Sequence, residues 1–362
     1  MSNKRVYVAY TGGTVGMRGN PGARAPAPGY LTERIASLPE LESDEMPEVT
    51  VHAYEPLLDS ANMAPENWLE IARDLEARYD DYDGFVVLHG TDTMAYTASA
   101  LPFMLEGLAK PIVMTGSQIP LSEVRNDARE NLIAALLIAG NHSIPEVTVL
   151  FGNRLMRGCR TKKIDASRLD AFASPNFPPL AVLGSRIDVR HDRVRPAPKS
   201  ARLKVHEVGG PIVGALRLFP GMTTRFLENA LSAPIQGLVL ETFGVGNGPA
   251  RDAAFLRALR EATDRGVVVV GTTQCWRGEV DFETYATGQA LSAAGVTSGG
   301  DMTAEAALAK LHYLLGQNLE PEAVRREVGR NLVGELTPPA ASKAPLPSEG
   351  LRDVEGRVVA DS

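Results

Sequence analysis

Hydroxyl side chains recur in this chain where short apolar runs stop at glycine. Thr14 follows Tyr7-Val8-Ala9-Tyr10-Thr11-Gly12-Gly13, Thr91 and Asp92 follow Val86-Val87-Leu88-His89-Gly90, and Ser117 follows Ile112-Val113-Met114-Thr115-Gly116. A threonine hydroxyl is a poor nucleophile at neutral pH and needs a base within hydrogen-bond reach. Lysine becomes such a base when desolvation or neighbouring positive charge disfavours its ammonium form. Thr161-Lys162-Lys163 lies in a basic stretch and could supply one, while Asp92 could position that lysine or anchor a substrate ammonium group. Singly, each residue has a blander reading: Thr11 or Thr93 caps a helix, and a loop lysine is solvated. Their convergence at strand ends favours a polar site of hydroxyls and a carboxylate, without a cysteine or a metal ligand.

The elements around them must bring these positions together. An apolar run of this length between turn signals reads as a buried parallel strand, and glycine allows the sharp turn that ends it. Further strands are expected at 49–54, 85–88, 111–114 and 147–151. A helix from Pro65 places Trp68, Ile71, Ala72 and Leu75 on one face, and Leu132, Ala135, Leu136 and Ala139 mark another. A helix is expected over 94–108 with a kink at Pro102, and 154–170 reads as a polar, basic connection. The alternation predicts an α/β fold with a mostly parallel sheet, whose ligands bind outside the carboxyl ends of the strands.

Residues 1–190 form the first domain in this reading, and 191–211, with Pro196 and Pro198, a linker. A second strand and helix series occupies 212–337, with strands at 213–218, 237–241 and 267–271 and helices at 250–264 and 303–315. The Pro-, Ala- and Ser-rich tail, 338–362, is expected to be disordered. Residues 18–30, rich in Gly, Pro and Ala, read equally as a lid beside the site or as a surface insertion.

Composition narrows the partners. The 362 residues are 44% hydrophobic and 22% charged, with 37 basic and 44 acidic side chains and a formal charge of -7. That balance argues against nucleic acid or an anionic membrane as the main partner. Cys159 and Cys275 match no zinc or redox spacing and suit a reducing compartment. The first apolar run is too short for a signal segment or a membrane span, so a cytoplasmic protein is expected. Thr11-Gly12-Gly13-Thr14 lacks the lysine and spaced glycines of a phosphate loop, and Gly244-Val245-Gly246-Asn247-Gly248 is only a partial dinucleotide motif. Both read better as turns, and His89 beside Gly90 as structural.

Five longer motifs resemble the bacterial-type L-asparaginases, most closely the cytoplasmic type I branch. They are Tyr10-Thr11-Gly12-Gly13-Thr14-Val15-Gly16-Met17; Leu88-His89-Gly90-Thr91-Asp92-Thr93-Met94-Ala95-Tyr96-Thr97; Thr115-Gly116-Ser117-Gln118-Ile119-Pro120; Asp170-Ala171-Phe172-Ala173-Ser174-Pro175-Asn176; and Gly244-Val245-Gly246-Asn247. The resemblance implies a larger amino-terminal and a smaller carboxyl-terminal α/β domain, and hydrolysis of L-asparagine to L-aspartate and ammonia without a cofactor. It implies that Thr14 is the nucleophile of an acyl-enzyme, and that Thr91, Asp92 and Lys163 form a second triad. Asp59, Ser60, Ala61 and Asp92 would hold the substrate's α-amino and α-carboxylate groups, and the Ser117 amide would assist. It further implies an intimate homodimer, of a kind that commonly pairs into tetramers, with Asn247 and Glu279 of the neighbouring subunit completing the site.

Three positions depart from the family pattern. Gly22-Ala23-Arg24 stands where the lid tyrosine is usual, which leaves Tyr30 as the candidate replacement. Glu241 stands where a basic residue is usual beside Thr273 and Cys275, at a second, allosteric asparagine site; weak or absent activation by asparagine is expected. Lys162 stands where relatives often have a hydroxyl, and its charge would disfavour a second ammonium next to it. Two other functions compete: a glutaminase or the ammonia-producing subunit of a tRNA-dependent amidotransferase, and a non-catalytic amino-acid sensor. The amidotransferase subunit would carry an extra amino-terminal module, whereas this chain starts almost at the first strand. The sensor is disfavoured because Thr14, Thr91, Asp92 and Lys163 are all present.

Overall fold

A computed structural model of the chain describes residues 4–19, 25–26, 29–199, 202–208 and 210–338. The expected disordered tail beyond 338 and Gly22-Ala23-Arg24 of the expected lid lie outside the described residues. Strands β1 (Arg5–Tyr10), β2 (Glu48–Ala53), β3 (Gly84–Leu88), β4 (Ile112–Thr115) and β5 (Val147–Phe151) run parallel in the order β2-β1-β3-β4-β5. Three antiparallel strands, β6 (Arg154–Arg157), β7 (Ala181–Leu183) and β8 (Ile187–Val189), continue the sheet beyond β5.

Alternation along each strand sends successive side chains to opposite faces. Tyr7, Ala9, Phe85, Val87, Ile112 and Met114 enter one core, and Val6, Val8, Tyr10, Val86, Leu88 and Val113 the other. Helices α1 (Tyr30–Ala36), α2 (Pro65–Ala77), α3 (Met94–Met104) and α4 (Ala128–Asn141) cover these faces. Trp68, Ile71, Leu75, Ala98 and Leu101 of α2 and α3 join the first core; Leu31, Ile35, Leu132 and Leu136 of α1 and α4 join the second. Burial on both faces explains why these strands are continuous apolar runs.

The register fixes where the site stands. Tyr10 pairs with Leu88, and Leu88 with Thr115, so β1, β3 and β4 end level. Thr11, His89 and Gly116 therefore leave the sheet side by side.

The smaller sheet is wholly parallel, with β9 (Val213–Arg217), β10 (Gly237–Thr242), β11 (Val268–Thr273) and β12 (Val296–Ser298) in sequence order. Helices α5 (Thr224–Ala230), α6 (Ala253–Asp264) and α7 (Ala286–Ala293) pack on one face, and α8 (Ala304–Gly316) and α9 (Pro321–Val328) on the other. Asp252 and Thr303 accept backbone N–H groups in the first turns of α6 and α8, which satisfies donors that a helix start otherwise leaves free.

Two expectations need correction. The helix from Met94 stops at Met104, and Leu105–Glu106 pairs instead with Lys204–Val205 of the interdomain segment. Pro102 cannot donate to the Ala98 carbonyl, and Gly158 packs there; a Cβ on Gly158 would lie 2.5 Å from that oxygen. Within the expected linker, Lys204–Val205 and His206 adjoin the end of α3, since the His206 N–H also donates to the Met104 carbonyl at 2.8 Å. Second, the basic stretch 154–170 is largely built into the protein. Arg157 forms a buried ion pair with Glu146, and Arg160 donates to Asp301 at 2.7 Å across the domain junction.

Lys310 and Glu335 form the most deeply buried pair, with side chains 1% and 0% exposed. The ammonium also donates to the carbonyls of Val328 and Arg330, and the carboxylate accepts the N–H groups of Leu332 and Val333. Desolvation pulls Lys310 below the ordinary lysine range, with Glu335 opposing it. Glu335→Ala strands the ammonium and is expected to cost roughly 3–5 kcal/mol of stability in urea unfolding.

Candidate active site

The loops leaving β1, β3 and β4 are held together by contacts that only small residues permit. The Thr11 N–H and hydroxyl both donate to the Leu88 carbonyl, at 3.0 and 2.9 Å. Gly13, at φ 93°, lies directly against Gly90; a Cβ on Gly13 would fall 2.6 Å from the Gly90 Cα. A Cβ on Gly90 would in turn meet Ser60 Oγ at 2.3 Å. The backbones just before Thr14 and Thr91 thus touch, and Ser60 closes on the second of them. The Thr93 hydroxyl donates to the Ser60 carbonyl at 2.7 Å, tying the start of α3 to the same loop. Neither Thr11 nor Thr93 therefore caps a helix with its hydroxyl, because tertiary carbonyls claim both.

Lys163 reaches this cluster from a two-residue antiparallel ladder in which it pairs with Phe172. Its Nζ donates to Thr91 Oγ1 at 2.9 Å and to Asp92 Oδ1 at 2.7 Å. The residues lie 71 and 72 positions apart in sequence, and tertiary structure alone joins them. Asp92 is 67% exposed and Lys163 20%, so the pair opens towards solvent. Thr91 itself is buried, and Thr14, opening the turn Thr14–Gly16, is half-buried. This is a hydroxyl, an ammonium and a carboxylate in one line beside a second hydroxyl, an arrangement suited to activating oxygen nucleophiles.

Around it, Asp59 accepts the N–H of Ala61 at 3.1 Å and the Asn62 amide at 3.0 Å, which fixes the turn carrying Ser60 and Ala61. Ser117 is buried, and its hydroxyl has no partner among the described residues. His89 is structural. Its Nδ1 donates to the Gly90 carbonyl at 2.7 Å, so its Nε2 accepts from the Thr97 hydroxyl at 2.9 Å, and burial pulls the imidazole down to about 4. Among the described residues, no group of three His, Cys, Asp or Glu could hold a metal ion.

The remaining expected residues have partners of their own. Tyr30 begins α1 with the Arg18 guanidinium stacked 4.7 Å from its ring centre. Asn247 bridges back to Phe243 and accepts from the Thr287 hydroxyl. Its glycine-rich loop is a packed turn: a Cβ on Gly246 would meet Phe282 and Val280 at 2.9 Å. Glu279 follows Gly278, which is held by Asn176 in both directions at 3.0 Å; desolvation and then Asp301 push its carboxyl up. Glu241 lies 3.6 Å from Arg217. The Thr273 hydroxyl donates to the Gly244 carbonyl at 2.6 Å and accepts the Cys275 N–H at 3.0 Å, and Cys275 is exposed. Lys162 faces away from Lys163, as successive strand residues must, and pairs with Glu305 at 3.1 Å. A cavity of about 480 Å³, lined by Glu146, Arg157, Arg195, His206 and Tyr313 among others, lies at the amino end of β5, away from the triad.

Fold and site together define a two-domain α/β amide hydrolase with a threonine at the carboxyl end of its first strand. Residues 5–195 match the family model for the asparaginase N-terminal domain, and 212–327 that for the glutaminase/asparaginase C-terminal domain. The chain belongs to the asparaginase family. It is 52% identical over 339 residues to L-asparaginase 1 of Escherichia coli (strain K12), covering 93% of this chain and 99% of that one. The crystal structure of L-asparaginase I from Vibrio cholerae matches with a TM-score of 0.86 and 48% identity, covering 93% of this chain and 100% of that chain. The thermostable L-asparaginase from Thermococcus kodakarensis matches at 0.83 with 34% identity, over 92% and 99% of the two chains.

Gln118, within the motif Thr115-Gly116-Ser117-Gln118-Ile119-Pro120, touches Thr91: the Thr91 hydroxyl donates to its Oε1 at 3.4 Å. Nothing in one sequence distinguishes a glutamine that bonds a catalytic hydroxyl from one that faces water.

Proposed function

We propose that this protein hydrolyses L-asparagine to L-aspartate and ammonia, without a cofactor, through an acyl-enzyme on Thr14. The observation that carries the reading is Lys163 Nζ bonded to both Thr91 and Asp92 beside the Thr14 loop. Thr14 Oγ1 bonds to the side-chain amide carbon as its hydroxyl gives up its proton; the C–N bond breaks, and the nitrogen takes up that proton and leaves as ammonia. Water, oriented by Thr91 and Lys163, then adds to the ester, the bond to Thr14 breaks, and aspartate leaves as Thr14 regains its proton. Backbone N–H groups near Thr14 and Thr91 stabilise the oxyanion, an effect worth about 3 kcal/mol per donor. Asp59, Ser60, Ala61 and Asp92 hold the α-amino and α-carboxylate groups, and Ser117 assists.

The family models break between 195 and 212, which supports a linker at 191–211. We further propose a cytoplasmic homodimer, with pairing into tetramers as an alternative, in which Asn247 and Glu279 complete the neighbour's site. Among the described residues no helix is long and apolar enough to cross a membrane. Light scattering coupled to size exclusion tests the assembly; a mass of one chain would sink it.

Ammonia release from asparagine and from glutamine tests the reaction itself. Faster release from asparagine is expected; faster release from glutamine, or none from either, would overturn the reading. In the same assay, velocity against asparagine should be hyperbolic, because Glu241 would repel a second substrate's α-carboxylate. A sigmoidal curve would count against that assignment.

A further inference from the structure

We propose that Gln118 is a positioning residue that sets the direction of the Thr91 hydroxyl. The proposal rests on the roles given above to Thr91 and Lys163. Gln118 Nε2 donates to the Arg168 carbonyl at 3.2 Å, and its Oε1 accepts from Thr91 Oγ1 at 3.4 Å. A backbone carbonyl can only accept, so Arg168 decides which end of the amide is the donor. The end left facing Thr91 is then an acceptor. A Lys163 ammonium can only donate, and its Nζ sits 2.9 Å from the same hydroxyl oxygen. The single Thr91 proton is thereby assigned to Gln118, and its lone pairs to Lys163 and the open side of the site.

Both ends of this relay are anchored. Asp127 accepts the N–H groups of Gln118 and Ile119, each at 2.9 Å, which fixes the backbone from which the side chain springs. Asp165 accepts the N–H groups of Ser167 and Arg168, at 2.7 and 2.8 Å, which holds the turn presenting the Arg168 carbonyl. That turn joins the strand carrying Lys163 to its ladder partner Phe172–Ala173. Gln118 therefore spans the loop after β4 and the Lys163 hairpin, with Thr91 between them. Loss of this acceptor frees the hydroxyl to turn while leaving the substrate-holding residues in place.

The test compares Gln118→Met, of similar length but with no acceptor, with Gln118→Glu. For Gln118→Met we expect kcat on asparagine to fall between about tenfold and about a hundredfold, the scale of a misplaced catalytic group. KM should stay within about threefold, since ground-state binding is untouched, and thermal melting should not move. A carboxylate cannot donate to the Arg168 carbonyl, whereas the protonated acid reproduces both contacts of glutamine. The charged groups joined to it through hydrogen bonds are Asp127 on its own backbone, Lys163 and Asp92 beside Thr91, and Asp165 and the Arg168–Asp170 pair on the facing turn. The kcat of Gln118→Glu relative to wild type should therefore rise towards about pH 4, the ordinary glutamic acid range, while the Gln118→Met ratio stays flat. A Gln118→Met enzyme within about twofold of wild-type kcat would overturn the proposal, as would a rise in KM matching the loss in kcat. A flat ratio for Gln118→Glu would overturn it even if the methionine variant failed to fold. Thr91→Val serves as the control: if it retains near-normal turnover, the triad assignment has failed, and not merely the part given to Gln118.

Discussion

Thr14→Ala is expected to abolish turnover of asparagine, with kcat reduced by roughly four orders of magnitude or more, the scale of removing a nucleophile from a linked catalytic group. The hydroxyl forms the covalent bond, and no other side chain on the β1 loop can replace it: the Thr11 hydroxyl is committed to the Leu88 carbonyl, and Gly12 and Gly13 have none. Alanine keeps Cβ, so the turn Thr14–Gly16 and the contact between Gly13 and Gly90 should survive. Aspartate should therefore still bind, which calorimetry would register while ammonia release falls to background. Near-normal turnover in this variant would place the nucleophile elsewhere.

Lys163→Met should lower kcat by about a hundredfold to about ten-thousandfold, the range of a lost acid–base group. Lys163→Arg should not restore it, because a planar guanidinium fork cannot replace the single ammonium nitrogen that donates to both Thr91 and Asp92. Stability makes the contrast useful. The Lys163–Asp92 pair opens to solvent, and such pairs contribute about 0–1 kcal/mol, so melting of Lys163→Met should hardly change. Glu335→Ala should do the reverse and cost stability before chemistry. An active Lys163→Arg enzyme, or a Lys163→Met enzyme that unfolds early, would recast Lys163 as structural.

Much of the fold was legible because parallel strands buried on both faces must be apolar along their whole length. The strands at 49–54, 85–88, 111–114 and 147–151 were found within a residue or so of β2 to β5. The antiparallel strands β6 to β8 escaped notice for the same reason in reverse. They are short, and β6 carries Arg154 and Arg157, which read as solvent-facing until Glu146 is seen to neutralise the second. Lys162 likewise finds a partner the chain order hides, Glu305, 143 positions further on.

The sequence by itself determined the class of chemistry: hydroxyls after glycine at three strand ends, a carboxylate beside one of them, and a Thr161-Lys162-Lys163 stretch able to supply a base. It determined the two-sheet α/β plan too, since periodicity and turn residues are local properties that one chain displays directly. The motif resemblance named Lys163, but tertiary structure alone decided that its Nζ bonds both Thr91 and Asp92, that Thr11 and Thr93 bind carbonyls instead of capping helices, and that Gln118 belongs to the site. Each of those facts depends on a hydrogen bond between distant segments. Such a bond exists only once the register of β1, β3 and β4 has brought their ends level, and no spacing along the chain encodes it.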